Sequence, residues 1–194
     1  AAQRGIEEVA VAELGPGTTV EGLAGCEQAF KEAGLAGTFV LYEPGAKRLR
    51  GCHLERAMDG YLPASTFKIP NSLTALQLGG VYGPDAPCKW DGTRYSIANW
   101  NQDQTLTSAF QRSCVWCYQQ LARQIGKTAY RDWLSRIGYG ALHEPFALTT
   151  FWLDGSLAIS ALEQVAFLKQ VYRRQLPFSA ASYDTLREIM RSEQ

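Results

Sequence analysis

The sequence has no uninterrupted run of about 18 apolar residues, so no segment is long enough to cross a bilayer as a helix. It has no charge of one sign to spare: 19 lysines and arginines stand against 19 aspartates and glutamates. A surface built for a polyphosphate chain normally carries a basic excess, so nucleic acid is not expected as the main partner. The two histidines, His53 and His143, are far apart and form no H-x₃₋₅-H pair, and no H-E-x-x-H, Walker or G-x-G-x-x-G segment occurs. No metal site is therefore expected. There is no internal repeat and no low-complexity tract. Ala1-Ala2-Gln3-Arg4-Gly5 lacks a charged segment followed by an apolar one. Either the protein is not secreted or a signal peptide has been removed.

What is present suits a globular domain. The 194 residues are 46% hydrophobic, 11% aromatic and 20% charged, enough to bury a core and too apolar for a disordered chain. The length fits one domain, or two small ones at most. The five cysteines, Cys26, Cys52, Cys88, Cys114 and Cys117, leave at least one unpaired, which argues against a disulfide-stapled scaffold.

Gly15-Pro16-Gly17 reads as a turn, and residues 27–33 as a short helix closed by Gly34. Residues 38–42 make the best strand, 43–47 a hairpin turn and 48–54 a weaker partner strand. Two strands alone are rarely stable, so a larger sheet is expected. Helical patterns follow over 65–78, 107–125, 128–137, 160–172 and 183–190. Ser160 and Glu163 form a capping box before the fourth of these. Residues 139–155 form a long loop, which in a compact domain is usually functional.

Four segments could carry chemistry. In Pro63-Ala64-Ser65-Thr66-Phe67-Lys68, the i, i+3 spacing puts Ser65 and Lys68 on one helix face. A serine at a helix start lies among free backbone N–H groups that could steady an oxyanion, and the lysine could take its proton. An S-x-x-K match alone is common, and a capped helix with an exposed lysine is its ordinary meaning. A plain lysine, with a reference pKa of about 10.4, is a cation at neutral pH. It becomes a base only when buried among apolar groups, or when the neutral amine adds carbon dioxide to become a carbamate. Ser113-Cys114-Val115 offers a hydroxyl and an apolar wall, and is otherwise a plain helix turn. Cys114-Val115-Trp116-Cys117 has redox or zinc spacing, but no second ligand pair and no strand-to-helix context, so two cysteines packed in a core are expected. Phe151-Trp152-Leu153-Asp154-Gly155 places an indole N–H on a large apolar body, which could desolvate a site and bond an anion in it. A core tryptophan is the ordinary alternative.

Together these segments resemble the class D, oxacillinase-type, β-lactamases. Tyr61–Asn71 is similar to the family's nucleophile segment. In family order follow Trp90-Asp91-Gly92, Asn101-Gln102-Asp103 with Thr105-Leu106, Ser113-Cys114-Val115 as S-x-V, Tyr139-Gly140 as the start of Y-G-N, and Phe151–Gly155 with Ile159-Ser160. The resemblance runs from about Gly37 onward. It implies a mixed α+β fold of the β-lactamase/transpeptidase type, a helical lobe beside an antiparallel sheet, as a single domain over residues 1–194.

It also implies a serine hydrolase that opens the β-lactam ring of penicillins and cephalosporins. Ser65 would be the nucleophile and Lys68, N-carboxylated by carbon dioxide or bicarbonate, the general base. Ser113 would relay protons, Val115 and Leu153 would wall the lysine, and Trp152 would bond the carbamate. No other cofactor is implied, the location would be periplasmic or secreted, and a homodimer is among the assemblies allowed. Ala141 stands where Y-G-N has its asparagine, and Gln194 is reached before any K-T-G or K-S-G triplet. The implied domain is thus incomplete at its C-terminal end. A β-lactam sensor that acylates without turnover, a cell-wall transpeptidase and an inactive remnant are the competing readings.

Overall fold

The computed structural model describes residues 2–191. In chain order its elements are α1 (Ala2–Leu14), β1 (Thr19–Gly22), α2 (Cys26–Ala33), β2 (Phe39–Glu43), β3 (Arg48–Cys52), α3 (Lys68–Gln77), β4 (Pro87–Cys88) and β5 (Gln104–Thr105). Then come α4 (Leu106–Gln111), α5 (Val115–Ile125), α6 (Lys127–Ile137), β6 (Ala141–Leu142), β7 (Leu157–Ala158), α7 (Ala161–Tyr172) and α8 (Ala180–Ile189). Helices and small sheets segregate as the expected α+β class requires. Two compact units form, one from the stretch up to Tyr61 with Tyr139–Ala141 and Ala158–Tyr172, the other from Leu62–Gly138, Leu142–Leu157 and the stretch from Arg173 on.

The first unit is built on a three-stranded sheet in the order β1-β3-β2. β2 and β3 pair antiparallel, from Phe39 opposite Cys52 to Glu43 opposite Arg48, and Glu43 forms ion pairs with Arg48 and Arg50. β1 pairs parallel with β3, so the sheet is mixed rather than purely antiparallel. Gly51 is required where the strands close up, because a Cβ there would lie 2.1 Å from Phe39 O. Helix α1, which the sequence pattern did not reveal, buries Ile6, Ala10 and Leu14, spaced four apart on one face. They join Leu49, Ala57, Leu162 and Ala166 in one apolar core. The box before α7 forms as expected: Glu163 N–H donates to Ser160 Oγ at 3.1 Å, and Ser160 N–H donates to Glu163 Oε2 at 2.9 Å. Among the described residues the outer edge of β2 has no partner strand, and Phe39 and Leu41 there are 49% and 40% exposed.

Cys26 and Cys52 form a disulfide that joins the start of α2 to the end of β3, Cα atoms 5.8 Å apart. It closes a loop with a sequence separation of 26. Replacing both cysteines by serine is expected to cost about 2–4 kcal/mol, read as a lower urea midpoint with a steeper slope, because the released unfolded chain exposes more surface. A midpoint that does not move would mean that the unfolded chain gains nothing from release of the loop.

The second unit is helical. Helix α3 buries Asn71, Ser72 and Thr74 beside Leu73 and Ala75, and each polar side chain has a partner. Tyr130 Oη donates to Asn71 Oδ1 at 2.7 Å, Ser72 Oγ and Tyr118 Oη lie 2.9 Å apart, and Thr74 Oγ1 donates to Pro70 O at 2.8 Å. Two sequence expectations are corrected here. The helix expected over 65–78 begins as a 3₁₀ turn over Ala64–Phe67 before α3 proper. The single helix expected over 107–125 is two, α4 and α5, broken at 112–114. The break is made by Ser113, whose φ of 52° lies in the left-handed region and cannot continue a helix.

Candidate active site

Ser65 lies inside the 3₁₀ turn and Lys68 opens α3 one turn later, as the spacing requires. Ala64, just before the serine, has φ 52°, and its N–H donates to Trp152 O at 2.9 Å. That bond ties the nucleophile turn to the end of the 139–155 loop. Asp154 fixes the same loop end, accepting from Thr150 Oγ1 at 2.8 Å and from Ser156 N–H at 2.9 Å. Bonds from Ser156 above all, and from Thr150, hold its carboxyl below the usual range.

The break between α4 and α5 has a purpose visible in the geometry. The left-handed turn at Ser113 brings its Oγ to 3.1 Å from Ser65 Oγ. A non-glycine residue held at positive φ costs about 1–3 kcal/mol, which the surroundings must supply. Trp100 braces both sides of the turn: its indole N–H donates to Arg112 O at 3.0 Å, and its carbonyl accepts from Trp116 Nε1 at 2.9 Å.

Lys68 is half-buried, and burial lowers its ammonium below the usual lysine range. Its Nζ donates to Phe110 O at 2.6 Å and sits 4.8 Å from the centre of the Phe110 ring. The lysine is thus held by α4 and not by the serine. A cavity of about 10 Å³, room for about one water molecule, is lined by Ser65, Lys68, Ser113, Val115, Trp152 and Leu153. All six residues singled out in the sequence meet there. Trp152 is 4% exposed and stacks on Phe67 with ring centres 5.8 Å apart. Phe67 in turn meets Phe151 edge-on at 5.3 Å, and Phe151 meets Tyr130 at 4.9 Å. This aromatic block fixes the tryptophan against the lysine, and its indole N–H donates to no group among the described residues.

Sequence reasoning missed Phe110, whose backbone carbonyl and ring hold Lys68, and Trp100, which braces the Ser113 turn. A carbonyl contact leaves no mark on residue type. Trp100 was a readable signal only as a large aromatic beside Asn101. Among the described residues no group of three or more histidine, cysteine, aspartate or glutamate side chains is arranged for a metal, and no helix is long and apolar enough to cross a membrane.

A family model described as the penicillin binding protein transpeptidase domain matches residues 45–194. Regulatory protein BlaR1 of Bacillus licheniformis is 38% identical over 180 residues, which is 92% of this chain and 30% of that protein. Beta-lactamase OXA-48 of Klebsiella pneumoniae is 40% identical over 164 residues, 84% of this chain and 62% of that one. The chain therefore spans less than two thirds of either relative. Among solved structures, the class D β-lactamase YbXI from Nostoc superposes with a TM-score of 0.82 at 36% identity, covering 87% of this chain and 72% of that one. The C-terminal domain of the Bacillus licheniformis BlaR penicillin-receptor superposes with a TM-score of 0.85 at 36% identity, covering 92% and 72%.

Proposed function

The chain belongs to the penicillin-binding transpeptidase-domain family, on the branch that holds the class D β-lactamases, and from that premise we propose that Ser65 attacks the carbonyl of β-lactam antibiotics and that the resulting ester is hydrolysed. The observation that carries this reading is the 3.1 Å contact between Ser65 Oγ and Ser113 Oγ beside a half-buried lysine. Ser65 Oγ forms a bond to the lactam carbonyl carbon, the C–N bond breaks, and the nitrogen takes a proton through Ser113. Burial favours a neutral Lys68 amine. A neutral amine can add carbon dioxide, and the carbamate supplies a base for both acylation and deacylation. Val115 and Leu153 keep water from the lysine, and Trp152 offers its unused N–H to a negative charge there. The Cys26–Cys52 disulfide fits a periplasmic or secreted location, where such bonds persist.

A second reading is favoured by the BlaR matches, which cover 92% of the chain: a sensor that acylates at Ser65 and stops. Product counting separates the two. Mixed with excess chromogenic cephalosporin, a hydrolase releases many product molecules per protein, and a sensor releases one and stays covalently loaded. Hydrolysis that continues undiminished in Ser65→Ala would sink both readings, because neither proceeds without an ester at Ser65.

A further inference from the structure

The second unit holds a pair of nucleophiles that the acylation reading does not use. Cys114 is the N-cap residue of α5, Cys117 lies within its first turn, and their Sγ atoms are 3.2 Å apart. Closing to a disulfide length of about 2.05 Å needs a shift of only about 1.1 Å. The two thiols are unlike. The Cys117 thiol, which donates to Cys114 Sγ, and the N–H groups at the helix start hold the Cys114 thiol below its usual range. Cys117 is pushed up by the thiols of Cys114 and Cys88 and by burial. Such a pair has one ready nucleophile and one proton holder.

Both sulfurs are buried, with Cys114 0% and Cys117 1% exposed, which taken alone describes inert core cysteines. A third thiol changes that. Cys88 is only half-buried, donates to Gln120 Oε1 at 3.3 Å, and shares with Cys117 the lining of a cavity of about 40 Å³. It connects the buried pair to the surface. The chain also carries an oxidised pair, Cys26–Cys52, so its surroundings allow disulfides to stand.

We infer that Cys114 and Cys117 are a reversible dithiol–disulfide couple, reached through Cys88 by low-molecular-weight disulfides, and that closing it displaces Ser113. Cys88 attacks a disulfide R–S–S–R and forms a mixed disulfide, releasing one R–SH. Cys117, giving up its proton to Cys114 Sγ along the bond it already donates, attacks the Cys88 sulfur and releases the second R–SH. Cys114 then attacks the Cys117 sulfur, and the Cys88 thiol is restored. Two protein thiols are oxidised, one external disulfide is reduced to two thiols, and the protons leave on those thiols. Cys114 is bonded in sequence to Ser113, so its shift on closing moves the hydroxyl that now sits 3.1 Å from Ser65 Oγ. A misplacement of about 1 Å can cost about 10²-fold in rate. This last link rests on the proposed acylation; the couple itself does not.

The test uses protein exposed to rising ratios of glutathione disulfide, then unfolded, blocked with N-ethylmaleimide and digested with trypsin. Cys114 and Cys117 share the peptide Ser113–Arg123, and Cys88 lies on Ile69–Lys89. Ser113–Arg123 is expected to turn from doubly blocked to unblocked, about 2 Da lighter than the reduced peptide, and to revert with dithiothreitol. Cys88→Ser should slow closing about tenfold or more. Ser113–Arg123 that stays doubly blocked at every ratio overturns the couple, as does a final product that joins it to Ile69–Lys89. A fluorescent penicillin should label the oxidised protein about tenfold or more slowly, with Cys117→Ser protein indifferent to the oxidant. Closure without slower labelling overturns the effect on Ser113. Protein that labels in neither state counts against the acylation reading, and the peptide masses then decide the couple by themselves.

Discussion

A penicillin adduct on the intact protein is expected to disappear in Ser65→Ala, with hydrolysis down by roughly 10⁴–10⁶-fold. Only Ser65 stands at the start of the turn that opens into α3, and Ser113 Oγ touches it at 3.1 Å. Removing the Ser65 hydroxyl leaves Ser113 as the nearest competing nucleophile, and its own bond partner is gone. Intact mass before and after incubation, followed by peptide mapping, gives a yes-or-no answer. An adduct that persists in Ser65→Ala and maps to Ser113 would reverse the roles assigned to the two serines. The fold should survive the change, because Ser65 is exposed and fills no core space.

The lysine gives the second large effect. Burial lowers the Lys68 pKa, so the neutral amine needed to add carbon dioxide is present at a lower pH than for an exposed lysine. Activity should therefore rise with added bicarbonate. It should fall as pH drops, because the amine takes up a proton and the carbamate is lost. Trp152→Phe keeps an aromatic ring against Phe67 but removes the indole N–H; activity should fall about 10²-fold and bicarbonate should restore part of it. Trp152→Ala adds a cavity costing about 3–5 kcal/mol, so phenylalanine is the cleaner probe. Steady-state rates across pH with and without bicarbonate check this. Rates indifferent to bicarbonate, with Trp152→Phe near wild type, would make Lys68 a free-amine base.

Much of this architecture is legible in local sequence. Gly34 ends α2 with φ 64°, and Gly138 ends α6 with φ 63°, as glycine at a helix end allows. Ser160 and Glu163 cap α7 reciprocally because both partners lie within one turn. What escaped local reading depends on distant partners. Helix α1 has its buried face marked by Ile6, Ala10 and Leu14, but small residues and Gly5 blur the stripe. Strand β1 is fixed by its parallel register with β3, which no local pattern encodes. Five cysteines allow many pairings, so the Cys26–Cys52 bond had to come from the fold. The break at Ser113 carries no glycine or proline to announce it. The six site residues could be gathered only by their resemblance to a family, since Ser65, Ser113 and Trp152 are far apart along the chain.

The left-handed backbone at Ala64 and Ser113 also sets what selection can do with this chain. Glycine adopts φ 52° without the Cβ clash, so Ala64→Gly and Ser113→Gly are each expected to relieve part of a local penalty of about 1–3 kcal/mol. At position 64 the exchange removes only a methyl group. At position 113 it also deletes the hydroxyl that meets Ser65. A library screened for heat tolerance alone should therefore accumulate glycine at both positions. One screened for β-lactam survival should admit it at 64 and purge it at 113. Two residues with the same φ would then have opposite mutational fates, separated only by what the side chain touches.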